Sequence, residues 1–338
     1  MTHGLIGAGL GYVGFSRRLG RAAAPAGALA ALLPDVDVFI RSDSDPLLAI
    51  EHHRGFTHSL AFAPVGAAVV ALVAWLTFGR RQQAVMWWLC ALVGYVSHGL
   101  LDAATTYGTQ LLWPFSRVRT GWDVISIIDP IFTVVLGVAL VIALRRHRRM
   151  PACLGLGFAV LYLGMGLVQW RRAEGLQAEL AAARGHRRER VEVMPTMGNT
   201  IVWRALYLHD GRIFSDRIRV PWFSAAEVRE GVSLPVVDER ELTPEERARD
   251  AGTQSFARFA WFSDRWVARD PAHLAVFGDM RYSLSTEAFD PVWGIRFTSA
   301  EEANRVVWIN RTRERRVEVG ELWGELAGRD SRYRRLAP

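Results

Sequence analysis

Residues 84–101, AVMWWLCALVGYVSHGLL, make an uncharged run of membrane-spanning length, and Asp102 follows at once. A bilayer core of about 30 Å is crossed by about 20 apolar residues in helical form. Residues 60–78 (LAFAPVGAAVVALVAWLTF) and 151–170 (PACLGLGFAVLYLGMGLVQW) read the same way, and residues 124–144 carry one charge, Asp129. Residues 3–16 and 22–33 are shorter, rich in Gly and Ala, and broken by Pro25. Small residues permit close helix approach, so a short helical hairpin packed on the bundle is predicted there. After residue 171 no comparable apolar run occurs. The expected fold is an all-α integral membrane helix bundle over residues 1–170, with four full spans plus the N-terminal hairpin. A polar helix and linker at 171–195 then leads into a soluble α+β domain at 196–338.

The net charge of +7 is carried entirely by arginine, since the 338 residues contain no lysine. No basic stripe interleaved with stacking aromatics is present, which argues against nucleic acid as a partner. The arginines instead cluster at the ends of apolar runs: Arg17, Arg18 and Arg21; Arg80 and Arg81; Arg145, Arg146, Arg148 and Arg149. Placing these clusters in the cytoplasm, as the positive-inside rule prefers, gives a self-consistent helix parity. Residues 1–3, the loops 34–56 and 105–122, and everything after 171 then lie on the outer face. Cys90 and Cys153 lie inside apolar runs and read as small hydrophobes. The first 16 residues lack a basic n-region and a cleavage site, so the first helices are expected to act as the insertion signal.

The metal-capable side chains of the first half collect on that outward face. Ionisable groups at membrane depth cost roughly 2.5–3.5 kcal/mol each and so mark function. His98 and Asp102, four apart on one helix, share a face and can share a divalent metal. In His52-His53-Arg54-Gly55-Phe56-Thr57-His58-Ser59, His53 and His58 can add imidazoles, with Thr57 capping the helix that follows. Arg54 offers a fork suited to phosphate or carboxylate. A polar interfacial loop is the plainer account of the same residues. Asp35 and Asp37 in Pro34-Asp35-Val36-Asp37 would converge on metal if the segment is extended, where alternate residues face one way. His3 opens the first helix, and Asp129 either orients a ligand histidine or caps its helix. Asp43, Asp45 and Glu51 read as solvated charges.

In the C-terminal region, residues 201–207 and 213–220 read as strands around a tight turn at His209-Asp210-Gly211-Arg212. Residues 242–251 open as a helix at Thr243-Pro244-Glu245-Glu246. Further strands are expected at 274–284, 292–297, 305–309 and 316–319, and the stretch 255–266 is ambiguous. The tryptophans of this region (203, 222, 261, 266, 293, 308) read as core and interface packing.

Taken together, Thr2-His3 with Gly7, Pro34-Asp35-Val36-Asp37, His53 to Ser59, His98 to Asp102, Tyr107-Gly108-Thr109-Gln110-Leu111-Leu112-Trp113-Pro114-Phe115 and Ile128-Asp129-Pro130 carry a resemblance. They resemble the bacterial inner-membrane metal-dependent hydrolase family whose best-known members are LexA-regulated. The resemblance covers residues 1–170, and residues 199–204 resemble the start of the C-terminal region of longer members. The order His, Asp, His, HxxxD is also loosely similar to the zinc-dependent phospholipase C and nuclease pattern. The resemblance implies a hydrolase with a divalent metal, zinc first, held by His3, Asp35, Asp37, His53, His58, His98 and Asp102. Arg54 would stabilise developing negative charge and Asp129 would orient a ligand. The expected partners are the bilayer and a lipid or phosphoester substrate. The alternative is a non-catalytic metal-binding membrane sensor.

Overall fold

The computed structural model describes residues 1–79, 83–248, 252–285, 288–298, 306–314 and 319–335. The expected turn at Arg80-Arg81 and the strand expected at 316–319 lie outside the described residues, Val319 apart, which begins a helix. The chain divides into two compact units, one of residues 1–40, 52–168 and 197–200, the other of residues 41–51, 169–196 and 201–338.

The first unit is helical. Helices α1 (Thr2–Leu19) and α2 (Ala23–Ala30) form the expected hairpin. Their backbones touch: a Cβ on Gly7 would stand 2.3 Å from the Gly27 carbonyl oxygen, and one on Gly11 2.3 Å from that of Ala23. A 3-10 helix, Leu33–Phe39, continues from α2. After the short α3 (Leu48–His52) and a 3-10 turn at Phe56–His58 come α4 (Ala63–Phe78), α5 (Ala84–Ala103), α6 (Pro130–Arg146) and α7 (Met150–Ala183). Alanines dominate the core between α1, α2, α4 and α5, with Trp87 and Tyr95 filling the wider gaps.

Among the described residues, three helical segments are long and apolar enough to cross a membrane: Thr2–Phe39, Ala84–Ala103 and Met150–Ala183. The pair Leu48–His58 and Ala63–Phe78, bent by 77°, makes a fourth if it is one broken span. The expected set of four full spans needs correction at residues 124–144. Helix α6 begins only at Pro130 and has 17 residues, about 25 Å of rise. The residues before it are not helical because their amides are committed elsewhere: Trp122 donates to the Ala103 carbonyl and Val124 to that of Ala104. Asp129 then caps α6, accepting from the Phe132 amide at 3.0 Å, with Pro130 as the first helical residue.

The second unit is built on two antiparallel four-stranded sheets, each in sequential order. The first comprises β1 (Arg190–Pro195), β2 (Val202–His209), β3 (Arg212–Arg219) and β4 (Glu227–Pro235). Ala173 and Leu180 of α7 pack on it against Trp203, Ile218 and Val228. The second comprises β5 (Val267–Arg269), β6 (Val276–Asp279), β7 (Trp293–Phe297) and β8 (Val306–Asn310). Phe256, Phe259 and Phe262 of α9 (Gly252–Phe262) meet Phe277, Trp293 and Trp308 of that sheet, which resolves the ambiguous stretch 255–266 as mainly helix. The expected helix at 242–251 is the short α8 (Pro244–Ala248), held by reciprocal bonds between Thr243 and Glu246. Helix α10 (Val319–Ala327) was not expected. Asp45 and Glu51 are not merely solvated. Arg258 of α9 binds both, at 2.8 Å each, which places the 41–51 loop in this unit.

Candidate metal centre

Helix α5 presents His98 and Asp102 one turn apart, both essentially removed from solvent. The 3-10 turn that carries His58 rests directly on this helix. Gly99 makes that possible, since a Cβ there would lie 2.5 Å from the His58 carbonyl oxygen. Tyr95, a turn earlier on α5, donates from its hydroxyl to the Thr57 carbonyl at 2.5 Å and holds the turn in place. From α1, the His3 ring stacks on His98 with centroids 4.0 Å apart.

These elements converge on one carboxylate. Asp102 Oδ2 lies 3.2 Å from His58 Nε2 and 3.2 Å from His98 Nε2, while Oδ1 lies 3.2 Å from His3 Nε2. Asp35 Oδ1 closes the far side, 3.7 Å from His58 Nε2 and 3.5 Å from His98 Nε2. Despite these separations, His58 Nε2, His98 Nε2 and both Asp102 oxygens are buried without a hydrogen bond among the described residues. Buried polar atoms are normally bonded, and leaving one unbonded costs about 1–3 kcal/mol. A cation between them removes the cost. Four donors around a tetrahedral ion with bonds of about 2.0–2.1 Å are about 3.3–3.4 Å apart, close to the spacing found along four edges of this set. Two overlapping triads, His3–His98–Asp102 and Asp35–His58–His98, each bring one donor atom per residue within 4.8 Å of the others, a donor set that could hold a divalent metal.

The backs of the two imidazole rings are fixed. His98 Nδ1 is 2.7 Å from the Ala31 carbonyl, so Nδ1 carries the proton and Nε2 turns its lone pair inward. His58 Nδ1 lies 3.2 Å from Asp37 Oδ2, a carboxylate–imidazole contact that raises ligand basicity. Asp37 is therefore not one of the converging donors, contrary to the expectation for an extended Pro-Asp-Val-Asp. The segment is a 3-10 helix with three residues per turn, so residues two apart diverge instead of sharing a face. Asp35 points at the imidazoles, and Asp37, buried, accepts from His53 Nδ1 (2.9 Å), the Arg54 amide (2.9 Å) and the Thr57 hydroxyl (3.1 Å).

Three further expectations change. His53 stands on Asp37, its ring edge-on to Tyr107, not on the ligand cluster. Thr57 does not cap a helix: α4 starts at Ala63, and the Thr57 hydroxyl serves Asp37. Arg54 adopts a left-handed backbone (φ 59) and buries its guanidinium against Asp102 Oδ1 (3.2 Å), the Thr105 hydroxyl (2.8 Å) and the Tyr107 ring (4.8 Å). Its charge thus balances Asp102 directly. Of the two readings of Asp129, the helix cap is the one its contacts describe, and its second oxygen accepts from the Tyr162 hydroxyl at 2.8 Å. Thr105 and the Ala31 carbonyl were not singled out from the sequence, since small hydroxyls and backbone groups leave no pattern there.

A family model described as YdjM inner membrane protein matches residues 1–173, just over half of the chain. Inner membrane protein YbcI of Escherichia coli (strain K12) is 38% identical over 106 residues, covering 30% of this chain and 60% of that protein. YfhP of Bacillus subtilis (strain 168) is 28% identical over 136 residues, 38% of this chain and 41% of that protein. Inner membrane protein YdjM of E. coli (strain K12) is 37% identical over 103 residues, 27% and 48%. The chain thus spans about half the length of the curated relatives it matches. No solved structure matches. With its apolar helices and this match across the unit that holds the convergent histidines and aspartates, the chain belongs to the YdjM inner membrane protein family.

Proposed function

We propose that this protein is a membrane-bound, zinc-type metal-dependent hydrolase of phosphoesters, with its centre on the extracytoplasmic face. The observation that carries the reading is the meeting of His58 Nε2, His98 Nε2 and Asp102 Oδ2 at 3.2 Å without hydrogen bonds. A divalent cation held there supplies Lewis acidity toward a phosphoryl oxygen and lowers the pKa of water. His58, His98 and Asp102 would hold such an ion, His3 contacts Asp102, and Asp35, about half exposed, approaches both imidazoles. His53, about a third exposed and held through Nδ1 by Asp37, has Nε2 free of that contact and would serve as the general acid or base. Arg54 sets the charge on Asp102 and orients it.

A lipid-borne phosphoester suits the surroundings. Val36, Val38 and Phe39 are exposed on the 3-10 helix that carries Asp35, as are Phe115, Val118 and Trp122 on the 105–125 loop. Exposed apolar side chains on segments that also carry residues of the polar centre suit a substrate with acyl chains and a charged head. The sensor reading draws on Asp35. Were Asp35 to join His58, His98 and Asp102 as a fourth donor, it would fill the position that structural zinc sites close and catalytic ones keep open.

Elemental analysis of the detergent-purified protein tests the centre, with His98→Ala expected to hold about one equivalent of metal less than wild type. Unchanged metal in that variant overturns the reading. Zinc- or manganese-loaded wild type and Asp102→Asn are then compared on a chromogenic phosphodiester and on phospholipid vesicles. Metal-dependent turnover in wild type alone supports the hydrolase, and metal binding without turnover supports the sensor.

A further inference from the structure

The geometry points to a second divalent-cation site, on the sheet unit, held by Glu189, His209 and Asp210. One donor atom from each lies within 4.8 Å of the others. The backbone fixes two of the three relationships. The Glu189 amide, one residue before β1, donates to the Leu208 carbonyl at 2.9 Å and so holds its backbone beside the end of β2. Asp210 (φ 46) and Gly211 (φ 70) are both left-handed, the conformation of a two-residue hairpin turn. That turn folds the Asp210 carboxylate back on the histidine, with Oδ2 3.5 Å from His209 Nε2. Glu189 Oε1 in turn accepts from the Asp210 amide at 3.1 Å, so the two carboxylates are tied to one turn.

The imidazole is also held. His186 stacks on His209 with centroids 4.3 Å apart, and His186 Nδ1 is 2.9 Å from the Tyr207 hydroxyl. His209 Nδ1 is buried without a hydrogen bond among the described residues. One imidazole with two carboxylates is a donor set for a divalent first-row ion. Closing the three donors on an ion takes only side-chain rotation of the two exposed carboxylates. The ion would pin the segment that follows α7, through Glu189, to the β2–β3 hairpin. It shares no residue with the centre built on Asp102, so either site can exist without the other.

The test uses the full-length protein in detergent, stripped of metal and titrated with zinc chloride by calorimetry, in wild type, His98→Ala, Asp210→Asn and His98→Ala/Asp210→Asn. Asparagine tolerates the left-handed conformation, so Asp210→Asn keeps the hairpin; His209→Ala serves as the second variant, with circular dichroism confirming the fold. The expected result is a zinc-binding event that persists in His98→Ala and is weakened at least tenfold by Asp210→Asn and by His209→Ala. Titrations of Asp210→Asn and His209→Ala that match wild type overturn this site. Loss of the His98-dependent event alone bears on the other centre and leaves this one supported.

Discussion

Replacing Asp37 by asparagine separates a carboxylate that orients a ligand from one that is a ligand. Asp37 lies beneath His58, 3.2 Å from Nδ1, and also accepts from His53, Arg54 and Thr57. Asparagine keeps the shape and one acceptor oxygen, which suffices for the Arg54 amide, but removes the negative charge facing the two imidazoles. Partners of this kind change metal affinity by about 10- to 100-fold when altered, equivalent to about 1.4–2.7 kcal/mol. Direct removal of a donor in His98→Ala should cost more, because it deletes one of the three buried atoms that would surround the proposed ion. Zinc affinity of the detergent-purified protein, measured by competition with a chromogenic chelator, gives both numbers. The reasoning fails if Asp37→Asn binds within twofold of wild type, or if it loses as much affinity as His98→Ala.

Other substitutions probe the scaffold. Asp129→Ala removes the cap of α6 and the Tyr162 contact. It should cost about 0.5–2 kcal/mol for the cap alone, read as a lower thermal midpoint with metal content unchanged; Tyr162→Phe should lower it less. Gly99→Ala drives a methyl to 2.5 Å from the His58 carbonyl, so the 56–58 turn must shift and metal content should fall although no donor is altered. Arg258→Met removes the partner of Asp45 and Glu51. The hydrogen bond from Arg258 holds the Asp45 carboxyl below its ordinary range. A depressed carboxylate stabilises the fold above its unfolded pKa and loses that contribution as pH falls. The deficit of Arg258→Met against wild type should therefore be full at neutral pH and shrink below about pH 4. Limited proteolysis at both pH values measures it, and a gap that widens in acid would count against the pairing.

The membrane runs were legible because a helix in water needs a polar face, and 18 or more residues without a charge leave it none. So was the His98–Asp102 pair, since helical spacing alone puts them on one face. The Pro34-Asp35-Val36-Asp37 segment was legible only as chemistry. Whether its aspartates converge depends on the local repeat, and Pro34 near the start of a 3-10 helix was the one visible sign. The late start of α6 follows from carbonyls at Ala103 and Ala104, a tertiary demand with no local signature. Strand β4 escaped for a related reason. The β3–β4 register slips between Ser215 and Arg217, and Gly231 sits where a Cβ would be 2.0 Å from the Ser215 oxygen. That irregularity breaks the alternation by which strands are recognised.

Asp102 touches His3, Arg54, His58 and His98 through two oxygens. Such a hub makes the mutational landscape around it strongly epistatic. Once Asp102 is neutralised, Arg54 becomes a buried cation without its counter-charge, and a second change at Arg54 can restore stability instead of eroding it. Effects measured one residue at a time will then sum to more than the whole, and only double-mutant cycles will apportion them. The same coupling restricts drift: a chain that loses Asp102 has reason to lose Arg54 soon after, so the two positions should change together or not at all.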